Sequence, residues 1–250
     1  GTSATAAGYY EINLIGNNVI TGSYCVLMSS SQGGRVTIKG DGTLTLNAGD
    51  CGIDAGAASN IRNNDVVIEG NAKVTINATK SEANKSVYGI IARNVTIKDN
   101  ASVDITAKNT NSNTVSDWVK GIFAYNSVTI NTAGTINIDV SEAGGDNAYS
   151  YGIHSMNTIN CTKVSNMTIK WQKSGIYGSP IVGGDVDNTT HAVNEDSGNC
   201  FASYRYGTPR YVAAINGTLA GPGVPKEANR GSGYFLAGDE ITLNAPSLQV

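Results

Sequence analysis

Charged residues are scarce in this chain. They make up 15% of its 250 residues, against roughly a quarter in an average soluble domain. The net charge of −3 provides no basic field for holding a phosphate backbone, so we do not expect nucleic acid as a partner. No apolar run approaches the roughly 18 residues that a membrane-spanning helix needs, so we expect no membrane span either.

Residues with reactive side chains are also few. His154 and His191 are the only histidines, and neither has a serine or cysteine in the motif context of a hydrolase triad. Four cysteines, which match neither the CxxC spacing of a metal site nor a dense disulfide framework, are Cys25, Cys51, Cys161 and Cys200. The sequence therefore predicts no catalytic residues.

Glycine, asparagine and threonine are abundant, and short apolar patterns recur among them. The first pattern has apolar residues at alternate positions and starts at intervals of 30, 29, 33 and 31 residues: Val36-Thr37-Ile38, Val66-Val67-Ile68, Val95-Thr96-Ile97, Val128-Thr129-Ile130 and Ile159-Asn160-Cys161. Periods of this size indicate a repeat architecture.

Two further patterns follow in fixed order. The second begins eight residues after the first in every unit: Leu44-Thr45-Leu46, Val74-Thr75-Ile76, Val103-Asp104-Ile105, Ile136-Asn137-Ile138 and Met167-Thr168-Ile169. The third is a Gly-Ile pair, at Gly52-Ile53, Gly89-Ile90, Gly121-Ile122, Gly152-Ile153 and Gly175-Ile176. An imperfect earlier unit contains Ile12-Asn13-Leu14, Ile20 and Val26-Leu27.

Each unit thus holds three segments with period-2 alternation, too short for helices and separated by turn residues. Three strands and three turns make one coil of an all-β, single-stranded parallel β-helix with about six coils. The right-handed form is preferred because a left-handed β-helix would show a hexapeptide repeat. An antiparallel β-sandwich would not explain the constant eight-residue offset. One inward ladder is predicted to contain Leu27, Ile53, Ile90, Ile122, Ile153 and Ile176. Cys25 and Cys51 are predicted to share a column of adjacent coils, either as a disulfide or as a ladder of reduced thiols.

The chain divides at the point where the repeat fades. Residues 1–179 are predicted to form the β-helix and residues 180–250 an irregular C-terminal cap or lateral flap. Ile241-Thr242-Leu243 could supply one more strand within this second part.

The repeats resemble those of the pectate-lyase-like superfamily of parallel β-helices, over roughly residues 12–178. The string from Val36 to Ile53, VTIKGDGTLTLNAGDCGI, is similar to coils of carbohydrate-binding β-helix proteins on the surfaces of Gram-positive and gut bacteria. The resemblance implies an exported bacterial protein, secreted or on the cell surface, with polyuronate binding and calcium sites in some members. Function does not follow from fold alone.

Calcium is the one cofactor that the resemblance allows. In the relatives, carboxylates near the Gly-Ile corner bind the ion, and here that corner reads Asp50-Cys51-Gly52-Ile53-Asp54. Asp50 and Asp54 are therefore the candidate metal ligands. The other corners lack such a pair, and aspartate is also common in turns, where it hydrogen-bonds its own backbone.

The outward positions of the third strand are unusually apolar. One predicted column holds Met28, Asp54, Ile91, Phe123, His154 and Tyr177, and the next holds Arg93, Tyr125 and Met156. A stripe of this kind could stack sugar rings or dock a protein. Alternatively, loops or the C-terminal part cover it as a second small core, which is the interpretation we favour on base rates. Trp118, in a long insertion before Gly121, is either a sugar platform or a buried anchor, and we favour the anchor.

The sequence-based hypothesis is a non-catalytic extracellular or cell-surface module for carbohydrate binding or adhesion. Its partner would be a polysaccharide or a host or cell-surface glycan, with a protein as the second choice. The ligand-binding residues would be Ile91, Arg93, Phe123, Tyr125, His154, Tyr177 and Trp118. One alternative is a polysaccharide lyase acting on uronate-containing polymers, for which Asp104 and Asp139 lie two residues out of register. The other is a purely structural cell-surface rod.

Overall fold

The structure is a computed structural model, and the part of the chain that it describes consists of β-strands and irregular segments. It describes the backbone of residues 2–4, 8–30, 33–56, 63–112, 118–144, 149–156, 158–171, 174–178, 201–205, 208–213, 218–220 and 240–244, and the side chains of residues 8–28, 33–56, 63–112, 118–144, 150–156 and 159. The strands are β1 (Thr2–Ala4), β2 (Gly8–Leu14), β3 (Asn17–Ser30), β4 (Gly34–Gly40), β5 (Thr43–Asp54), β6 (Asn64–Ile68), β7 (Lys73–Lys80), β8 (Val87–Asp99), β9 (Ser102–Asn109), β10 (Trp118–Val140), β11 (Tyr149–Ser155), β12 (Thr158–Trp171), β13 (Ser174–Gly178), β14 (Phe201–Arg205), β15 (Thr208–Ala213), β16 (Thr218–Ala220) and β17 (Glu240–Asn244).

The strands stack in parallel as a β-solenoid, and the three sequence patterns are its three sheets. In the first sheet Val36 pairs with Val66, and the ladder continues through Val95 to Val128. In the second, Leu44–Val74–Val103–Ile136 pair in turn. In the third, Ile53–Ile90–Ile122–Ile153–Ile176 do so. The predicted parallel β-helix and its repeat register are therefore confirmed.

The number of turns is smaller than expected. Along the first sheet β2 is followed by β4, β6, β8 and β10, so about four turns of the solenoid separate β2 from β10. Strands β12 and β13 continue the sheets beyond them. The predicted count of about six coils is thus not confirmed.

Inward side chains from all three sheets form one long apolar core. Its ladders place isoleucine, valine and leucine above one another at a spacing of about 4.8 Å, and members such as Ile38, Ile76 and Ile122 are fully buried. On the outer surface of the solenoid, polar side chains pair from level to level. Lys98 Nζ lies 2.9 Å from Glu69 Oε2, and Asn77 Nδ2 donates to Asn47 Oδ1 at 3.0 Å.

The Gly-Ile corner interrupts the alternation of the third sheet. A Cβ built on Gly89 would point into the core and lie 2.5 Å from both Ile105 Cγ2 and the carbonyl oxygen of Gly121. Since Ile90 is also buried in the core, two consecutive residues face inward, as at a β-bulge. The residue before each such glycine is consequently turned outward.

The first coil differs from its prediction by one residue. Val26, and not Leu27, pairs with Ile53, while Leu27 pairs with Asp54 in the outward column that we had assigned to Met28. Leu27 is 37% exposed, whereas Met28 is buried in the main core. A register shift between Gly22 and Tyr24 is the cause, because a shift of one residue moves side chains to the other face.

The same shift separates Cys25 from Cys51, which had been predicted to share a column. Tyr24 is the residue that pairs with Cys51. Cys25 packs against the main core, while Cys51 belongs to a second cluster on the outer face of the third sheet. Both cysteines are free thiols.

The C-terminal part contributes strands to the last level. Strand β17 pairs antiparallel with β12, with Ile169 opposite Ile241, and β16 adds to β17. The Ile241-Thr242-Leu243 strand is therefore present. The division at residues 179 and 180 stays a prediction. Within the described residues, the structure contains no helix with the length and apolar character needed to cross a bilayer.

The first prediction tests the inward glycine. We expect Gly89→Ala to lower the free energy of unfolding by about 1–3 kcal/mol, since the new methyl group must displace Ile105 or the Gly121 backbone. Gly49→Ala is the matched control, because the nearest atom to its Cβ would be Ser23 Cα at 3.5 Å. Urea unfolding of the two variants and the wild type measures the difference. Equal stability of the two variants would contradict the proposed packing.

Candidate functional site

The outer face of the third sheet carries a second hydrophobic cluster, separate from the main core. Cys51, Ile91 and Phe123 are its buried members, and Tyr88 and Tyr125 pack against them. We call these five residues, together with Trp118, Lys120, Tyr151 and His154, the outer cluster. They come from strands β5, β8, β10 and β11, which lie side by side in parallel register.

Phe123 is the centre of this cluster. Its ring centroid lies 4.7 Å from that of Tyr125 in an edge-on arrangement and 4.7 Å from that of His154. The Tyr88 ring stacks at 6.2 Å. Such distances are those of favourable aromatic pairs. Since only 5% of Phe123 is exposed, its ring organises its neighbours and does not present a face to solvent.

Lys120 lies inside a cage of aromatic rings. Its Nζ is 3.8 Å from the Phe123 ring centroid and 3.9 Å from that of Trp118, and the rings of Tyr88 and Tyr151 are each 5.8 Å away. The strand register explains this: Lys120 pairs with Tyr88 on one side and Tyr151 on the other. All three precede a corner glycine and therefore point outward.

Two opposing effects act on the Lys120 amine. The side chain has no solvent exposure, and Nζ has no hydrogen-bond partner among the described residues. Burial lowers the pKa of Lys120 well below its usual value. The ring faces favour the ammonium by about 2 kcal/mol each when desolvated, but removing an ammonium from water costs several kcal/mol. The net direction is a lowered pKa.

His154 has a similar environment. It packs against the rings of Phe123 and Tyr151, the latter at 5.3 Å. Burial, followed by the charge of Lys120, lowers the pKa of His154 well below its usual value. The neutral imidazole is therefore the favoured form near pH 7.

The structure brings together most of the predicted ligand-binding residues. Ile91 and Phe123 are buried, so the second-small-core interpretation holds for them. Tyr125 and His154 are partly buried, and Trp118 is 42% exposed with one ring face over Lys120. Tyr177 pairs with His154 through the backbone, but its side chain lies outside the described residues.

Arg93 is committed to another partner. Its Nε and Nη2 donate to the two carboxylate oxygens of Asp65, at 2.8 and 2.7 Å, and Asn94 Nδ2 donates to the same carboxylate at 2.9 Å. A bidentate pair of this kind fixes the guanidinium plane. Arg93 is therefore held by Asp65, and its role in ligand binding stays a prediction.

The two candidate calcium ligands also have protein partners. Asp50 pairs with the Lys80 ammonium, which itself lies 3.8 Å from Glu82 Oε1. Asp54 is buried, and its Oδ1 accepts a hydrogen bond from the Gly56 amide at 3.0 Å. Across the described part of the chain, no group of three acidic, histidine or cysteine side chains is placed to hold a metal ion. Calcium binding at Asp50 and Asp54 stays a prediction.

The groups considered for lyase chemistry do not converge. Asp104 pairs with Asn137, while Asp139 pairs with Thr106, so the predicted two-residue offset is confirmed. Asp139 Oδ1 is bound by the Ser141 amide and hydroxyl, at 3.0 and 2.6 Å. Cys51 is not an activated nucleophile, because burial raises the pKa of its thiol well above the usual value.

Sequence reasoning missed four members of the cluster: Cys51, Tyr88, Lys120 and Tyr151. Simple alternation from the inward Ile53, Ile90, Ile122 and Ile153 would place them inward too, since each lies two positions earlier. The available signal was the glycine that lies between each of these residues and the following isoleucine. Because glycine has no side chain, it can occupy a second inward position. A lysine at a nominally inward position was the clearest warning.

In comparisons with known proteins, no protein-family model, curated protein or solved structure matches this chain. The assignment of the fold therefore rests on the strand register alone.

The second prediction concerns the buried amine. We expect Lys120→Met to raise the free energy of unfolding at pH 7 by roughly 1–3 kcal/mol, because it removes a buried amine for which the described residues provide no acceptor. Since the folded-state pKa is lowered, the folded protein binds fewer protons, and wild-type stability rises with pH until the unfolded-state value of about 10.4. The gap between variant and wild type should therefore close toward that pH.

Urea unfolding from pH 6 upward checks this, with Lys73→Met as the matched control because Lys73 is exposed on the second sheet. A Lys120→Met variant that is less stable than the wild type, with a gap independent of pH, would show that the cation–π contacts outweigh desolvation.

Proposed function

We propose that this protein is a non-catalytic extracellular or cell-surface module that binds a polysaccharide or surface glycan through the outer cluster. The observation that carries the proposal is Trp118, which is 42% exposed on the parallel sheet that also carries the partly buried Tyr151 and His154. Sugar rings present apolar C–H faces, and amphipathic aromatic side chains bind them with little loss of conformational entropy.

The buried part of the cluster supports this surface. Phe123 contacts Tyr125, His154 and the Lys120 amine, so the partly exposed groups are held from beneath. A site on packed sheet strands is more precisely positioned than one on loops. In this proposal Ile91 and Phe123 act as supports, while Trp118, Tyr125 and His154 contact the ligand.

Catalysis receives no comparable support. A lyase needs a base beside the uronate and a cation to hold the resulting charge, but Arg93 is paired with Asp65 and Lys120 is enclosed by rings. A structural rod would use the same solenoid with no ligand. The extracellular and bacterial setting comes from the resemblance of the repeats to surface β-helix proteins, and the partner class follows from the aromatic surface.

The third prediction tests the binding surface. We expect the wild type to be retarded in affinity electrophoresis on pectin or another polymer chosen by a glycan array. Trp118→Ala should weaken the affinity about tenfold, which corresponds to about 1.4 kcal/mol. The control is Tyr9→Ala, which removes an aromatic ring that is 72% exposed on the first sheet.

Two outcomes would contradict the proposal. Absence of binding to every polymer and array glycan would favour the structural rod. Equal affinities of Trp118→Ala and Tyr9→Ala would move the site away from the outer cluster. Ultraviolet absorbance from an unsaturated uronate product would establish the lyase instead.

A further inference from the structure

Lys120 differs from the other lysines whose contacts the structure describes. Lys39, Lys80, Lys98 and Lys108 each have a carboxylate within 4.0 Å. Lys120 has no solvent exposure, and its Nζ has no hydrogen-bond partner in the described part of the chain. A buried amine that serves only stability would be expected to have an acceptor, because an unsatisfied buried polar group is costly.

The cage combines the features of a reactive amine. Burial among rings favours the neutral form, whose nitrogen lone pair is the nucleophile; desolvation in a hydrophobic pocket is one of the known ways to activate a lysine. The Phe123 and Trp118 ring faces, at 3.8 and 3.9 Å, suit a positively charged nitrogen once a product has formed. The same environment excludes water, which protects a hydrolysable product.

Trp118 connects this amine to solvent. Its ring contacts Nζ and is itself 42% exposed, so the same side chain touches both the amine and the solvent. Rotation of a partly exposed side chain is fast on the scale of chemical reactions. A small molecule can therefore reach Nζ after displacement of Trp118, whereas a bulky one would have to disrupt the packed rings.

We propose that Lys120 is a carbonyl-capturing amine, which condenses with small uncharged aldehydes to form an imine within the aromatic cage. The Nζ lone pair attacks the carbonyl carbon, and the carbonyl π electrons move to oxygen, which takes a proton. The resulting carbinolamine loses this oxygen and two protons as water, one proton coming from nitrogen. The C=N bond replaces the C=O bond, and no oxidant or reductant is required.

The class of ligand follows from the walls of the site. The cage is aromatic, so it provides no counter-charge for an ionic substituent, and a charged aldehyde would have to be desolvated without compensation. A short hydroxyaldehyde fits this description. The proposal is independent of polysaccharide binding, since no polymer enters its test and either idea can fail without the other.

The fourth prediction uses trapping by reduction. The full chain is incubated at neutral pH with glycolaldehyde and cyanoborohydride, which reduces the imine to a stable secondary amine, and the modified lysines are located by peptide mass mapping. We expect Lys120 to be modified at least about tenfold faster than the exposed Lys73 and Lys85, which serve as internal references. Modification of Lys120 no faster than of Lys73 would overturn the proposal.

Two variants sharpen the test. Lys120→Arg replaces the primary amine with a guanidinium, which does not form imines under these conditions. It should abolish the fast phase while leaving the labelling of Lys73 unchanged; a fast phase that persists in this variant would overturn the assignment. Trp118→Ala should accelerate labelling of Lys120 relative to Lys73, because it removes the partly exposed ring that contacts Nζ. A slower reaction in this variant would overturn the proposed route. Circular dichroism of each variant confirms the β-structure before labelling.

Discussion

The whole structure depends on the register between successive parallel strands. Each coil buries its apolar side chains only because the same kind of residue lies directly above and below it, about 4.8 Å away. Ile53, Ile90, Ile122 and Ile153 form such a ladder. Since a shift of one residue would exchange inward and outward faces, the register determines which side chains fill the core and which lie on the surface.

The corner glycines determine which side chains the strand register brings together on the outer face. With Gly89 and Gly121 pointing inward beside Ile90 and Ile122, the alternation resets, and the preceding residues Tyr88 and Lys120 move to the outer face. There they meet the outward column that contains Ile91 and Phe123. The corner glycines, which allow the backbones of neighbouring coils to approach closely, therefore also bring two outward columns together. The side chains of these columns form the aromatic cluster.

The outer cluster combines a structural and a chemical character. Phe123 and Ile91 behave as a small second core. The cluster nevertheless leaves Trp118 partly exposed and encloses an amine that has no acceptor among the residues whose side chains are described. Packing alone would be served better by an apolar side chain at position 120, because a buried amine without an acceptor is costly. Sites that violate the local rules of stability in this way are where function is expected.

The sequence by itself determined the architecture, because period-2 alternation repeated at about thirty residues has only a stacked-strand solution. It placed the ladders of Val36 and Leu44 correctly and identified Phe123 and His154 as outward neighbours. Only the tertiary structure decided which outward groups are covered, where the first coil shifts at Gly22, and that Lys120 lies among four rings. The physical reason is that strand periodicity is local, whereas bulges, burial and contacts between columns depend on how neighbouring coils pack.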